Sequence, residues 1–283
     1  MQRREIQTPV ALKSPRDMQM MRAAGKVVAK ALRLCRDMAK PGVKTADINR
    51  AVEDLYTAHG AVSLFKGYDP GTNGTPFPAV TCISLNEQVV HGIPGTRALR
   101  DGDLLKCDTA CKLNGWCADA AVSVPVGTVR AERLRLVKVA ESVLQTAIEE
   151  IGRRRWWSEV AQRMQRKAED AGFKMVEQYV GHGIGQDMHE APQVPNFVTK
   201  DLRKNGDFRL EPGIVLAVEP MLNMGRCDVE VLGDHWTVIT RDGLPSVHVE
   251  HTLALTPMGV VVLTADEGDP RGEIKWPEMA AAT

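Results

Sequence analysis

Residues 103–124 read DLLKCDTACKLNGWCADAAVSV, and this stretch decides the fold. Asn114-Gly115 lies between two runs rich in Leu, Val, Cys and Ala. Asn-Gly readily takes the two positive-φ positions of a type I′ turn, so the stretch predicts a two-residue β-hairpin. With that turn, Leu113 pairs with Trp116 and position 108 stands opposite 121. Asp108 and Asp119 then point to one face as diagonal neighbours, about 7–8 Å apart at the backbone. Like charges so placed disfavour joint ionisation. Solvent exposure is one remedy; a cation between the two is the other. Ala118, Ala120, Ala121 and Val122 do not make a solvated strand, but from this hairpin alone the two readings stand level.

The sequence on either side repeats a plan. Met18, Met21, Gly25, Val28, Leu32, Cys35 and Ala39 recur at helical steps and predict an amphipathic helix over 17–39, ended by Pro41-Gly42. Thr45 reads as the N-cap of a second helix to about Ala58, closed by Gly60. Leu134, Val137, Leu144, Ile148 and Ile151 mark a helix over 131–151, and Ser158 reads as the cap of a shorter one ending before Gly172. Sliding the chain by 112 residues lays Asp47-Ile48 on Glu159-Val160, Val52 on Met164 and Gly60 on Gly172. Further strands are expected over Ile214–Val218, Trp236–Thr240 and Val247–Leu255. Two helix-helix-strand halves suggest an internal duplication, about 15–128 and 129–265, within one domain. Residues 1–14 and 266–283 read as loosely attached tails.

Composition narrows the class. The 283 residues carry 36 Lys+Arg against 36 Asp+Glu, which argues against a protein held to nucleic acid or membrane by bulk charge. No apolar run reaches the ~20 residues needed to span a bilayer, and no apolar stretch of a secretory signal follows the basic N-terminus. The six cysteines form no CxxC pair and no disulfide framework. Cys107, Cys111 and Cys117 would make a loose zinc set, but structural zinc sites use tighter spacing, and reduced thiols are the simpler reading. A cytoplasmic location is expected.

Four further segments place polar groups in unusual settings. His182 sits in Gly181-His182-Gly183-Ile184-Gly185, where backbone can approach a ligand closely. His189 follows seven residues later. Glu219 ends the apolar run Ile214–Val218, and Glu250 lies between apolar neighbours in Val247–Leu253. Each alone also reads as a satisfied core group, and for a lone histidine that is usually the better reading. Together, Asp108, Asp119, Glu219, Glu250 and His182 offer four negative charges and one neutral nitrogen, enough to neutralise two divalent cations. Such an oxygen-rich set suits Mn²⁺, Fe²⁺ or Co²⁺ more than structural zinc. Two-metal sites of this kind generate hydroxide and clamp a tetrahedral intermediate.

The motifs resemble those of type I methionine aminopeptidases. The likeness rests on Cys82-Ile83-Ser84-Leu85-Asn86-Glu87-Gln88-Val89-Val90-His91-Gly92-Ile93-Pro94, Asp101-Gly102-Asp103 leading to Asp108, the glycine-flanked His182, Glu219-Pro220-Met221 and Glu250-His251-Thr252. It runs from about residue 15 to 265. Spacings agree as well: eleven residues from Asp108 to Asp119, seven from His182 to His189, and thirty-one from Glu219 to Glu250.

The resemblance implies an α/β (α+β) "pita-bread" fold, with pseudo-twofold halves around a curved antiparallel sheet. It implies metal-dependent removal of the initiator methionine from proteins whose second residue is small. Asp108, Asp119, His182, Glu219 and Glu250 would hold two divalent ions (Co, Mn or Fe, with Zn also compatible), Asp119 and Glu250 bridging. Glu219 would act as general base and then acid. His189 would stabilise the developing oxyanion, and His91 would position the scissile amide. Tyr68, Phe77, Cys82, Met188 and Trp236 would form the methionine pocket together with the two histidines. Asn86 and Ser246 match positions that hold a monovalent cation in relatives. The implied partners are nascent polypeptide N-termini, with transient ribosome contact through a patch such as Lys30, Arg33, Arg36 and Lys40; a monomer, with no specific nucleic acid or membrane partner, is expected.

Departures from the family pattern are local. Residues 69–76 lengthen the connection between Tyr68 and Phe77 by about six positions. Met188 replaces a usual aromatic residue, and Phe65 stands where some relatives have cysteine. Ala120 replaces a common Thr or Ser, an exchange expected to cost the metal carboxylates a hydrogen bond. Proline-specific peptidases of this fold usually carry an extra N-terminal domain, for which about 14 residues before the first helix leave no room. A type II methionine aminopeptidase would need a helical insertion not found here. A metal-free binding module on the same fold would lack the ligand set.

Overall fold

The computed structural model describes residues 10–69, 71 and 75–277. Half of the lengthened 69–76 loop and the outer parts of both expected tails lie outside these residues. The chain order is α1 (Pro15–Met38), α2 (Thr45–Ala58), β1 (Val62–Ser63), β2 (Cys82–Leu85), β3 (Leu104–Leu113), β4 (Trp116–Pro125), α3 (Ala131–Ile151), α4 (Trp157–Asp170), β5 (Lys174–Met175), β6 (Gly181–Gly183), β7 (Glu190–Val194), β8 (Val215–Val218), β9 (Met221–Asn223), β10 (Val229–Val231), β11 (Val238–Thr240), β12 (Ser246–His248), β13 (Glu250–Thr256) and β14 (Gly259–Val262). The helix-helix-strand order occurs twice.

The principal sheet runs β1-β3-β4-β13-β8-β6-β7, with β2 also on β3 and β14 also on β13. Every pairing in it is antiparallel. The hairpin register is as the turn chemistry predicts: Leu113 faces Trp116 and Asp108 faces Ala121. Asn114 and Gly115 both take positive φ, which only such residues adopt cheaply. The two halves meet where β4 pairs with β13 through Ala121–Glu250 and Ala120–His251.

Helices cover one face of this sheet. In the first half, α1 and α2 bury Val28, Leu32, Cys35, Ile48 and Val52 against Leu105, Cys107, Ala118, Ala120 and Val122. In the second half, α3 and α4 pack Val143, Leu144, Val160 and Met164 with Leu216, Val218, Leu253 and Leu255. Alternate strand residues therefore turn to the uncovered face, which carries the site.

Several local expectations are redirected by tertiary partners. Ser14 caps α1 through a capping box with Asp17. Thr45 does not cap α2: it is the first helical residue, and its hydroxyl exchanges hydrogen bonds with the backbone of Gly95. Ser158 likewise lies inside α4 and donates to Asp207 at 2.7 Å. The expected single strand over 247–255 is two strands broken at Val249, β12 pairing with β9 and β13 with β4 and β8. The C-terminal stretch is docked rather than loose as far as it is described. Arg22 donates to the carbonyls of Leu263, Ala265, Asp266 and Gly272, and Ile274 and Trp276 pack against the cluster containing Met18 and Met21. In the charged patch on α1, Lys30 and Arg33 pair with Glu267 and Asp266. Among the described residues no helix is long and apolar enough to cross a membrane.

Candidate metal centre and substrate cavity

The sheet register brings the five expected ligands onto one face. Asp108 and Glu250 both stand opposite Ala121, from β3 and β13, so the three share one row. Asp119 lies two residues along β4 from Ala121 and points the same way. His182 on β6 stands opposite Ala217, and Glu219 is two residues beyond Ala217, one step past the end of β8.

Glycines flank His182 because β6 runs tight against its neighbours. A Cβ at Gly181 would come within 2.3 Å of the Ala217 carbonyl oxygen, and one at Gly183 within 2.2 Å of that of Ala191. His182 Nδ1 lies 2.9 Å from the Gly183 carbonyl, an acceptor, so the ring proton resides there. The Nε2 lone pair is left facing Asp119 Oδ2 at 4.0 Å and Glu219 Oε1 at 3.9 Å. Donor atoms of Asp119, His182 and Glu250 all lie within 4.8 Å of one another.

The electrostatics point the same way. Burial, reinforced by neighbouring carboxylates, pushes Asp108, Glu219 and Glu250 well above the usual carboxylate range. Burial raises Asp119 to about 7. Burial lowers His182 to about 4, which keeps its ring neutral. Asp108 Oδ1, Asp119 Oδ1 and Glu250 Oε1 are buried without a hydrogen-bond partner. Orphaned carboxylate oxygens at the centre of a polar cluster are what a cation site looks like before the charge is supplied, and the donor set fits divalent ions.

Ala120 does not deprive this cluster of a hydrogen bond. Its side chain belongs to the helix-covered core, away from the carboxylates. The Thr252 hydroxyl secures Asp119 instead, accepting from its N–H at 3.0 Å and donating to its carbonyl at 2.8 Å.

The ligands close one end of a cavity of about 670 Å³. All the expected pocket residues line it: Tyr68, Phe77, Cys82, His91, Met188, His189 and Trp236. Phe77 meets Trp236 edge-on at 5.1 Å and Phe65 edge-on at 6.4 Å. The Trp236 indole donates to the Thr75 carbonyl at 2.9 Å, so the lengthened loop touches the pocket wall. The loop is closed at its base, where Phe77 N–H donates to Tyr68. Cys82 stands opposite Asp108 in the β2–β3 ladder, and burial raises its pKa, keeping it a thiol.

Two histidines flank the cluster. His91 holds a left-handed backbone, φ 58°, a strained conformation of the sort that gathers at functional sites. Burial lowers its pKa to about 4. The His189 ring lies edge-on to His182 at 4.4 Å, and its Nδ1 is 3.3 Å from the Tyr68 hydroxyl. The His189 loop is held from below: Lys13 pairs with Glu190, whose carboxylate also accepts from the backbone of Gln186 and Asp187.

Asn86 and Ser246 lie outside this cavity, around the side chain of Lys106. The cavity also recruits Tyr179, and His248 stands behind Glu219; sequence reasoning singled out neither. Tyr179 packs edge-on to His91 at 5.5 Å. His248 is buried with Nε2 3.6 Å from Glu219 Oε2. Position 248 ends β12, and the break at Val249 separates it from Glu250 on β13.

The sequence profile of metallopeptidase family M24 matches residues 19–257. This chain belongs to that family. Among similar family members, methionine aminopeptidase 1 of Bacillus subtilis is 40% identical over 90% of this chain and 99% of its own length. The methionine aminopeptidase of Clostridium perfringens is 39% identical over 90% and 98%. The solved methionine aminopeptidase of Thermotoga maritima superposes with a TM-score of 0.85 at 35% identity, covering 92% of this chain and 100% of that one. The curled antiparallel sheet backed by helices is the pita-bread fold of the family. Prolidase from Pyrococcus furiosus shares the fold alone, with a TM-score of 0.68 at 18% identity, and this chain spans 66% of it.

Proposed function

We propose that this protein removes the N-terminal methionine from polypeptides whose second residue is small. The observation that carries the reading is the joining of two features in one cavity. A buried Asp108–Asp119–His182–Glu219–Glu250 face with orphaned oxygens closes one end, and a pocket of aromatic rings, thiol and thioether adjoins it.

The five residues would hold divalent metal ions, and their oxygen-rich donor set suits manganese, iron or cobalt best. What such ions supply is Lewis acidity toward the scissile carbonyl and acidification of a water molecule. Glu219 would take up a proton from the attacking water and pass it to the departing amine, a role suited to a carboxylate whose burial strengthens its hold on a proton. His189 uses Nε2 to donate to the developing oxyanion, since Nδ1 faces the Tyr68 hydroxyl. His91, neutral through burial, orients the amide nitrogen. The rings of Tyr68, Phe77 and Trp236, with Cys82 and Met188, receive the thioether side chain, a soft group that favours aromatic edges. The substrates are the N-termini of newly made polypeptides.

The test is release of free methionine from Met-Ala-Ser by metal-stripped protein titrated with Mn²⁺, Fe²⁺ or Co²⁺, beside Met-Lys, Leu-Ala and Ala-Pro-Ala peptides. Metal-dependent release from Met-Ala-Ser, with the other three nearly intact, is the expected result. Cleavage of Ala-Pro-Ala alone would move the activity to proline-specific hydrolysis. Folded protein inert with every metal would sink the proposal.

A further inference from the structure

Lys106 is one of the largest fully buried side chains of the molecule, with 1% of its surface exposed. It lies on β3, and its nitrogen reaches neither solvent nor the substrate cavity. It donates to the main-chain carbonyl of Asn86 at 2.7 Å and to that of Ser246 at 3.0 Å. Both acceptors are neutral carbonyl oxygens rather than carboxylates, and they come from opposite halves of the chain.

These carbonyls are built to converge. Asn86 follows β2 in a left-handed conformation, φ 52°. Its side chain is fully committed: Nδ2 donates to Asp103, while Oδ1 accepts from Leu104 N–H and from Arg133. Ser246 opens β12, donates its N–H to the Asn86 carbonyl at 2.9 Å and its hydroxyl to the Leu222 carbonyl. Buried carbonyl oxygens aimed at one point are the ligand type of a dehydrated alkali cation. Asn86 and Ser246 are also the positions where the resemblance implies a free monovalent ion. The residues do not fit that expectation, because the point of convergence is already filled by the chain's own Lys106 amino group.

We infer that the Lys106 side chain is a built-in replacement for a free monovalent cation, tying the Asn86 turn of the first half to β12 of the second. Lys106 is accordingly a positioning residue. It lies two residues before Asp108 on β3, and β12 leads through His248 to Glu250, so the tie holds in register two strands that approach the metal centre from different halves. The inference rests on packing and carries over whatever reaction the site performs.

The test is the thermal unfolding midpoint at constant ionic strength while KCl or NaCl replaces choline chloride. The wild-type midpoint is expected to be indifferent to the exchange. Lys106→Ser vacates the space and should lower the midpoint in choline chloride by about 5–10 °C, from the loss of two buried hydrogen bonds. It should regain at least half of that loss, saturably, in K⁺ or Na⁺. Lys106→Met keeps the bulk without the donor and should be destabilised with no rescue by either ion. A wild-type midpoint that rises saturably with K⁺ or Na⁺ would overturn the inference, because an ion would then bind with the lysine in place. So would a Lys106→Ser protein that is equally stable, or equally unfolded, in all three salts.

Discussion

The floor and the wall of the cavity are made in different ways. The floor is Asp108, Asp119, His182, Glu219 and Glu250, all on strands or one residue past a strand end, spaced by ladder pairings that Ala121 and Ala217 anchor. The wall is Tyr68, Phe77, Met188, His189 and Trp236, all outside regular strands and positioned by ring contacts and single hydrogen bonds. A one-residue slip in a ladder would turn a ligand to the helix-covered face, so the floor tolerates little variation. Loops can lengthen and exchange residues while keeping a hydrophobic enclosure, as the 69–76 insertion and Met188 do here. On the proposed reading, chemistry is assigned to register and substrate choice to loops.

Three substitutions would break or sharpen that division. Glu219→Gln should have the largest effect, a loss of turnover of about 10³-fold or more on every peptide with the fold intact by circular dichroism. Turnover within tenfold of wild type would remove Glu219 from the proton path.

Asp119→Asn should act on stability as well as on metal content. Asp119 is raised to about 7 in the folded protein against an ordinary value near 4, so between those limits the folded state binds more protons than the unfolded one. The stability of metal-free wild type therefore loses this contribution as pH rises from about 4 to 7. Asp119→Asn is free of that loss and should gain on wild type by on the order of 2 kcal/mol across the same window. The order should reverse once divalent ions are added, because only wild type binds them tightly. Denaturant melts at pH 4.5 and 7 with chelator, then with Mn²⁺, decide it. A variant that tracks wild type at both pH values would mean the carboxylates are not crowded as the floor requires.

Trp236→Leu should have the smallest effect, about a tenfold fall in kcat/KM for Met-Ala-Ser, with a smaller fall for norleucine in place of methionine. Divalent metal content should stay at the wild-type level. Equal loss on both peptides together with loss of metal would show that wall and floor are not separable.

How far the site could be read beforehand follows the same division. Asn114-Gly115 determines the β3–β4 register, and with it the shared face of Asp108 and Asp119, because turn chemistry acts over a few neighbouring residues. The placement of His182, Glu219 and Glu250 beside them depends on pairings between residues 33 to 131 positions apart, which local pattern does not encode; family resemblance supplied those ligands. Thr45 and Ser158 show the converse. Each has the chemistry of a helix cap, and each spends its hydroxyl on a distant partner instead. Val249 shows it again: an unbroken β-rich run is divided between two sheets.

By itself, then, the sequence determined the helices, through their 3.6-residue apolar period, the central hairpin, through its turn, and the identity of the donors, through spacing shared with a family. Tertiary structure alone decided where the 247–255 run breaks, which hydroxyl secures Asp119, how Trp236 meets the lengthened loop, and that Lys106 ends between two carbonyls from opposite halves. The physical reason is range. Propensity and turn geometry are settled by neighbours in the chain, whereas a buried polar group must be satisfied by whatever folding brings within hydrogen-bond distance.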